Sequence, residues 1–377
     1  MIDFTKIPSP CYVLDSNLLS RNLAVIDWVR RESGAEIIVA LKACAMWSIF
    51  PELAKHSDGA TASSLAEAKL VYEEFGCRAH TYAPVYKAGE FDEIMQYSDH
   101  ITFNSVSQFE RFGPHALLRG ISCGLRINPQ YSPVETDLYN PCVAGSRLGV
   151  TREELGRELP AGVEGLHFHV LCESRPEHLR KALSAVEEHF GDLLDKVKWL
   201  NCGGGHLMTH ADYDCDELIA LLKEVRARHP HLRIILEPGS AFTWRTGYLV
   251  STVEDIVCNG GIRTAMLDVS FACHMPDCLE MPYKPAIVGA HDPVADEPRW
   301  RMGGNSCLAG DFCGDWAFER GLHVGDRVVF EDMIHYTMVK TTMFNGVTHP
   351  SIAIADENGD VRIVKKFDCE DFKSRMS

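Results

Sequence analysis

Through the first two-thirds of the chain, short apolar runs alternate with amphipathic stretches, an alternation that predicts βα units. The run Ile37-Ile38-Val39-Ala40-Leu41 is apolar at five consecutive positions and ends on Lys42, as expected of a strand buried on both faces of a parallel sheet. Seven further strands are predicted at 59–62, 78–83, 100–103, 122–127, 164–170, 197–202 and 232–237, with helices at 64–75, 176–190 and 212–229 between them. Ser63 or Ser64 with Glu67 forms a capping box for the first of these helices. Pro176 suits a helical first turn. Eight strands at this spacing predict a (β/α)8 barrel of the α/β class, with a doubly wound open sheet as the alternative.

After Pro238 the texture changes. Segments 248–257, 262–269, 286–289, 327–331, 336–342, 352–355 and 361–365 are short, β-rich and separated by Gly, Pro and Asp turns. They predict a second, mostly antiparallel β-domain, which residues 10–14 join as a strand. The expected division is a barrel over 30–245 and a β-domain over 1–29 plus 246–377.

Bulk properties narrow the function. The 377 residues are 46% hydrophobic and 24% charged, ordinary for a globular enzyme. No apolar run approaches membrane-spanning length, and Met1-Ile2-Asp3-Phe4-Thr5-Lys6 is not a leader sequence, so a cytoplasmic protein is expected. The formal net charge of −16 argues against nucleic-acid binding and suits a cationic small molecule. Fourteen cysteines are scattered without CxxC pairs or zinc-ligand spacing, which predicts reduced thiols and no metal.

Candidate chemistry gathers at the predicted strand ends. Lys42 leaves its strand at the sheet's carboxyl end, where an amine in a partly apolar site loses its proton more readily. His167-Phe168-His169 closes the sixth strand, with both histidines on one face by alternation. Asn201-Cys202-Gly203-Gly204-Gly205 follows the seventh, a turn whose N–H groups can approach an anion. Glu237-Pro238-Gly239-Ser240-Ala241 follows the eighth. A lysine, a flat-ring stacker, a glycine cradle and a carboxylate together suit pyridoxal 5′-phosphate, which needs an amine, a stacking partner, N–H donors for phosphate and an anion for its ring nitrogen.

With these motifs the chain resembles the barrel-type pyridoxal-phosphate decarboxylases of the ornithine/diaminopimelate decarboxylase and alanine racemase superfamily, over nearly its whole length. The resemblance implies an alanine racemase-like fold in which Lys42 carries the cofactor's aldehyde, His169 stacks on the ring and Glu237 faces the pyridine nitrogen. Gly203, Gly204, Gly205, Gly239, Ser240 and Ala241 would bind phosphate, and Arg126 matches an active-site arginine. Gly304-Asn305-Ser306-Cys307-Leu308-Ala309-Gly310-Asp311 is similar to the loop that these decarboxylases insert into a neighbouring subunit's site. Cys307 would there act on the carbon left when carbon dioxide departs. Glu331-Asp332-Met333-Ile334-His335-Tyr336 resembles the phosphate-contacting tyrosine segment and points to Tyr336. Met343-Phe344-Asn345-Gly346 resembles the segment whose aromatic, here Phe344, lines the shared site. A homodimer with shared sites is therefore expected.

Within that superfamily, Gly165 to Glu173, Gly145-Ser146-Arg147-Leu148-Gly149 and His274-Met275-Pro276-Asp277 are most similar to the carboxynorspermidine/carboxyspermidine decarboxylases. The place after the loop cysteine is Leu308, where ornithine decarboxylases usually carry aspartate. A polyamine substrate with an amino-acid head and a long cationic tail calls for separated anions. Asp277, Glu280 and Asp311 are the candidates, with Asp268 and Asp315 as further candidates, and His274 would orient a carboxylate or touch substrate. The expected reaction is decarboxylation to norspermidine or spermidine. The alternatives are a decarboxylase of a shorter diamino acid and a non-catalytic pyridoxal-phosphate-binding relative.

Overall fold

The computed structural model describes residues 2–377; Met1, the first residue of the N-terminal stretch read above, lies outside the described residues. Residues through Arg21 together with Thr243–Ser377 form one compact unit, and Asn22–Phe242 form another. The chain begins with β1 (Cys11–Asp15), which belongs to the first unit. The second unit holds β2 (Glu36–Ala40), β3 (Gly59–Ala62), β4 (Ala79–Tyr82), β5 (Ser98–Phe103), β6 (Ser122–Arg126), β7 (Val163–His167), β8 (Trp199–Asn201) and β9 (Arg233–Leu236). These eight strands pair in sequence order, all parallel, and β9 closes on β2 to complete the barrel. Ile37 to Ala40 are buried to a residue, as a strand covered on both faces requires. The helix Leu65–Leu70 is capped reciprocally: the Ser64 hydroxyl accepts the Glu67 N–H, and the Glu67 carboxylate accepts the Ser63 N–H. Long helices Pro176–Leu194 and Cys215–Arg228 lay apolar faces on the barrel.

The first unit is a nine-stranded sheet. Its strands are β1, β10 (Gly247–Asn259), β11 (Ile262–Leu267), β12 (Ala290–His291), β13 (Trp300–Gly303), β14 (Phe312–Phe318), β15 (Arg327–Glu331), β16 (Ser351–Ala355) and β17 (Val361–Lys365). The path runs β12-β14-β13-β11-β10-β1-β16-β17, with β15 also on β10. All pairings are antiparallel except β1 with β16 and β11 with β13.

Two expected strands are absent. Residues 286–289 form no strand, only an isolated bridge from Ile287 to Phe330, and the strand that follows, Ala290–His291, pairs with β14. Segment 336–342 folds instead as a single 3-10 turn over Thr337–Val339. The reason is local: Tyr336 has φ +46°, a conformation no extended strand contains. All fourteen cysteines are free. Among the described residues, no helix is long and apolar enough to cross a membrane.

Candidate active site

Lys42 sits where the barrel's hydrogen-bond ladder runs out. Leu41 N–H still reaches the Thr61 carbonyl at 3.3 Å, and then Ala43 and Cys44 fold back onto Ala40 and Leu41. Lys42 is therefore the first side chain held clear of the strand, at the C-terminal mouth. Its Nζ lies 3.3 Å from His169 Nε2, while His169 Nδ1 accepts the Gly204 N–H at 3.0 Å. An imidazole that accepts at Nδ1 and stays neutral must carry its hydrogen on Nε2. Burial, reinforced by the nearby charges of Lys42 and Arg126, holds His169 well below the usual histidine range, so it is neutral. A protonated Nε2 facing an ammonium would repel it, whereas an amine can accept that hydrogen. Lys42 agrees: although its side chain reaches solvent, the crowding around its Nζ pushes its pKa below the ordinary lysine value, with Glu237 opposing and Arg126 adding.

Glu237 follows β9. Its carboxylate lies largely covered, and burial pushes its pKa up. Asn201 Nδ2, at the end of β8, donates to Oε1 at 2.6 Å, and Thr61 on β3 also hydrogen-bonds it. Oε2 is 3.9 Å from His167 Nε2. His167 is 2% exposed, its ring edge-on to Tyr82, and neither ring nitrogen has a hydrogen-bond partner among the described residues. The two histidines thus share a face as their alternation requires, with His167 deep in the barrel and His169 at its mouth. Arg126, at the end of β6, is buried; it donates to the His169 carbonyl at 3.1 Å and lies over the Tyr82 ring.

The glycine turn has a more specific build than a row of donors. Gly203, with φ +69°, gives its N–H to Asn201 Oδ1, and Gly204 gives its N–H to His169. A Cβ on Gly203 would lie 2.5 Å from the Phe168 carbonyl, and one on Gly204 would collide with the Glu237 carbonyl. These two glycines shape the turn, which closes when Glu237 N–H reaches the Gly203 carbonyl at 2.7 Å. Gly239 packs as tightly, 2.5 Å from the Ala43 Cβ at the position where a Cβ would stand. The backbone N–H groups of Gly205 and Gly239 to Ala241, an amine with a lowered pKa, a flat imidazole and a largely covered carboxylate make a donor set that fits pyridoxal phosphate.

The β unit gathers the remaining candidates among themselves. Cys307 is exposed, and its N–H donates to Asn345 Oδ1 at 2.8 Å, joining the 304–311 loop to the Phe344 segment. Phe344 is 50% exposed. The Phe344 carbonyl accepts the Cys273 thiol, and Thr342 N–H bonds the Cys273 carbonyl, which ties the same segment to the short helix Phe271–His274. Tyr336 stands in its left-handed conformation beside Thr337, whose hydroxyl bonds Asp277 Oδ2 at 2.9 Å. Tyr283 OH bonds the same oxygen at 2.9 Å, whereas Asp277 Oδ1 is buried with no hydrogen-bond partner among the described residues.

The other acids are committed elsewhere. Glu280 pairs with Lys340, Asp315 with Arg301, and Asp268 is held by Ser9 and the Thr252 N–H. Asp311, read as a substrate contact, is buried and accepts the Ala272 and Ser306 N–H groups, so it braces the 304–311 loop. His274, read likewise, is fully buried. Its Nδ1 accepts the Ser270 N–H, and burial pushes it down to about 3. It pins its own short helix through Nδ1, whereas its Nε2 has no hydrogen-bond partner among the described residues.

Sequence reasoning did not single out Thr61, Tyr82 or Asn201, and it set His167 aside. Asn201 opens the very glycine motif that was noticed, so its position was the available signal. Thr61 and Tyr82 carry no local signal, because only barrel closure brings β3 and β4 to Glu237 and Arg126.

Residues 11–334 match the family described as pyridoxal-dependent decarboxylase, C-terminal sheet domain. Carboxyaminopropylagmatine decarboxylase from Synechocystis sp. is 50% identical over 372 residues, covering 99% of this chain and 96% of the relative. Carboxynorspermidine/carboxyspermidine decarboxylase from Campylobacter jejuni is 37% identical, covering 99% of each. The crystal structure of carboxynorspermidine decarboxylase with norspermidine from the same organism superposes with a TM-score of 0.90 at 36% identity, over 98% of this chain and 100% of that one.

Proposed function

Since the chain belongs to the pyridoxal-dependent decarboxylase family, we propose that it removes the carboxylate from the amino-acid head of a carboxyaminopropyl-extended amine, a step that makes a polyamine. Its tail in our reading is agmatine-like and ends in guanidinium, so that carboxyaminopropylagmatine loses carbon dioxide and leaves aminopropylagmatine. What favours this tail is the 50% identity to an enzyme of that name over almost both full lengths. An amine-ended tail, as in carboxynorspermidine or carboxyspermidine, is the second reading, favoured by the relatives at 37% and 38% identity.

The chemistry rests on the Lys42–His169–Gly204 contact, which makes an uncharged lysine amine the compatible form at the mouth of the barrel. Bound there, pyridoxal phosphate supplies an aldehyde for amines and an electron-withdrawing ring that takes up the pair released with carbon dioxide. Lys42 would hold the cofactor by its aldehyde, His169 would pack against its ring, Glu237 would hold a proton at the ring nitrogen, and Gly205 with Gly239 to Ala241 would receive phosphate. Arg126 keeps the His169 backbone in place. In the β unit, the free oxygen of Asp277 is a buried acceptor waiting for a cation. Cys307 and Phe344 complete the site of a second copy, in a cytoplasmic homodimer, and Tyr336 adds to its phosphate contacts.

Carbon dioxide release from carboxyaminopropylagmatine, carboxynorspermidine, carboxyspermidine, ornithine, lysine and diaminopimelate tests this reading. The expected result is a kcat/KM for the guanidinium-tailed compound about tenfold or more above the amine-tailed pair, from matched recognition of a planar cation. The three short amino acids should be turned over only marginally. Preference for ornithine or diaminopimelate would overturn the substrate class. A purified protein without a visible band sensitive to borohydride would overturn the enzyme.

A further inference from the structure

Asn201 joins the two features of the barrel that face the cofactor. Its Oδ1 accepts the Gly203 N–H at 2.9 Å and its Nδ2 donates to Glu237 Oε1 at 2.6 Å. The first bond decides the second. A backbone N–H can only donate, so the amide oxygen must turn to Gly203 and the NH2 group to the carboxylate. Asn201 is itself 2% exposed, and strand β8 fixes its backbone, so this orientation has no competitor in solvent. The oxygens of Glu237 consequently differ: Oε1 is bound by the amide donor and Oε2 lies 3.9 Å from His167, beyond hydrogen-bond length, with Thr61 as a second, weaker donor to the carboxylate.

We propose that Asn201 is a positioning residue that fixes the rotation and charge of Glu237, so that Oε2 is the oxygen offered to the cofactor's ring nitrogen, and that it locks this rotation to the glycine turn. The inference rests on the reading of Glu237 as the ring-nitrogen partner.

The surroundings make a single donor matter. Glu237 faces Lys42 from the turn after β2, Thr61 from β3, Tyr82 from β4, Arg126 from β6 and His167 from β7, besides Asn201. Burial disfavours its anion and is the largest influence; the Asn201 hydrogen bond comes next, followed by the charges of Lys42 and Arg126. His167 adds no charge, because burial and the neighbouring cations keep it neutral. Removing the amide donor therefore tilts Glu237 toward its protonated form. Replacing it with an isosteric carboxylate sets two anions against each other and also takes the donor from Oε1.

The holoenzyme variants Asn201→Asp and Asn201→Ala test this through the pH dependence of the bound cofactor's visible band and through cofactor Kd on titrating the apoenzyme. Both variants should move the midpoint of the band to higher pH, Asn201→Asp by about one unit or more and Asn201→Ala by less. Both should weaken cofactor Kd, about tenfold or more for the loss of a buried hydrogen bond to a charged group. A structural role alone would lower thermal stability and leave the midpoint in place. If Asn201→Asp does not fold, Asn201→Ala gives the same two readouts. Wild-type midpoint and Kd in a folded variant would overturn this inference alone. A wild-type protein without the band would overturn the parent reading together with it.

Discussion

A lysine whose ammonium form is penalised by its surroundings leaves a signature in stability as well as in chemistry. Burial lowers the pKa of Lys42 from 10.5 in the folded apoenzyme, while the unfolded chain keeps the ordinary value. Below the folded pKa both states are protonated and the full cost of the buried charge is present. Between the folded pKa and 10.5 the unfolded chain holds the extra proton, so stability rises with pH, and above that window the cost is gone. Lys42→Met removes the charge altogether. The variant apoenzyme should melt at a higher temperature than wild type at neutral pH, with the gain shrinking as pH approaches 10.5. A gain that is absent at neutral pH, or that grows with alkalinity, would show that the site does not penalise the ammonium. Lys42 and Glu237 were legible in the sequence because each ends an apolar run at the barrel mouth, and His169 because it alternates with His167 at the close of its strand. Asn201 and Thr61 were not, because what matters about them is a bond across strands far apart in sequence. The reading of His274 failed for a related reason: a histidine's type says nothing about whether its ring is enclosed.

At the scale of elements, the lower barrel is held by an interlock among three adjacent strands. Trp199 on β8 lies over Gly124 on β6 and Gly165 on β7, and its Nε1 donates to the Ser122 hydroxyl at 3.0 Å. With Ile38 and Ile235 it forms a buried cluster. A Cβ on either glycine would run into the indole, so the glycines are the hole and the tryptophan is the knob. Trp199→Ala should cost about 3–5 kcal/mol by leaving the hole empty. Gly165→Ala should cost about 1–3 kcal/mol by overfilling it. Trp199→Leu combined with Gly165→Ala should be less destabilising than the sum of the two single changes, as measured by denaturant unfolding of all four proteins. Strict additivity would mean the side chains do not share one space. Barrel strands were legible since continuous apolar runs are what a doubly covered strand needs. Strands β13 and β14 were not, because β13 is only four residues long and its mid-strand Arg301 is satisfied by a register partner, Asp315 on β14, at 3.0 Å, a pairing that shows only once the sheet forms. The turn at Tyr336 misled in the opposite direction, since an apolar and β-branched composition concealed a left-handed residue.

For the whole molecule, what matters is which chain supplies each part of the site. The barrel unit contains the Lys42–His169 and Asn201–Glu237 contacts, the proposed setting for the cofactor. The β unit separately gathers Cys307, Asn345, Phe344, Asp277 and Thr337 around exposed loop residues, among them Leu308 at 46% exposure. Exposed apolar side chains flanking an exposed thiol suit a surface that a second copy covers. In the proposed homodimer each site takes Lys42 from one subunit and Cys307 from the other, and this arrangement has a numerical consequence. Lys42→Ala and Cys307→Ala homodimers should each be nearly inactive. When the two are mixed in equal amounts and allowed to exchange, half the dimers are hybrids. Each hybrid carries one site with both residues intact and one with neither. Activity should therefore recover to about a quarter of wild type, as two-fold symmetry dictates. Exchange is followed independently with differently tagged chains. Full exchange without recovery would mean that both residues serve a site within one chain, whereas recovery that tracks the hybrid fraction places Cys307 across the interface from the lysine it serves.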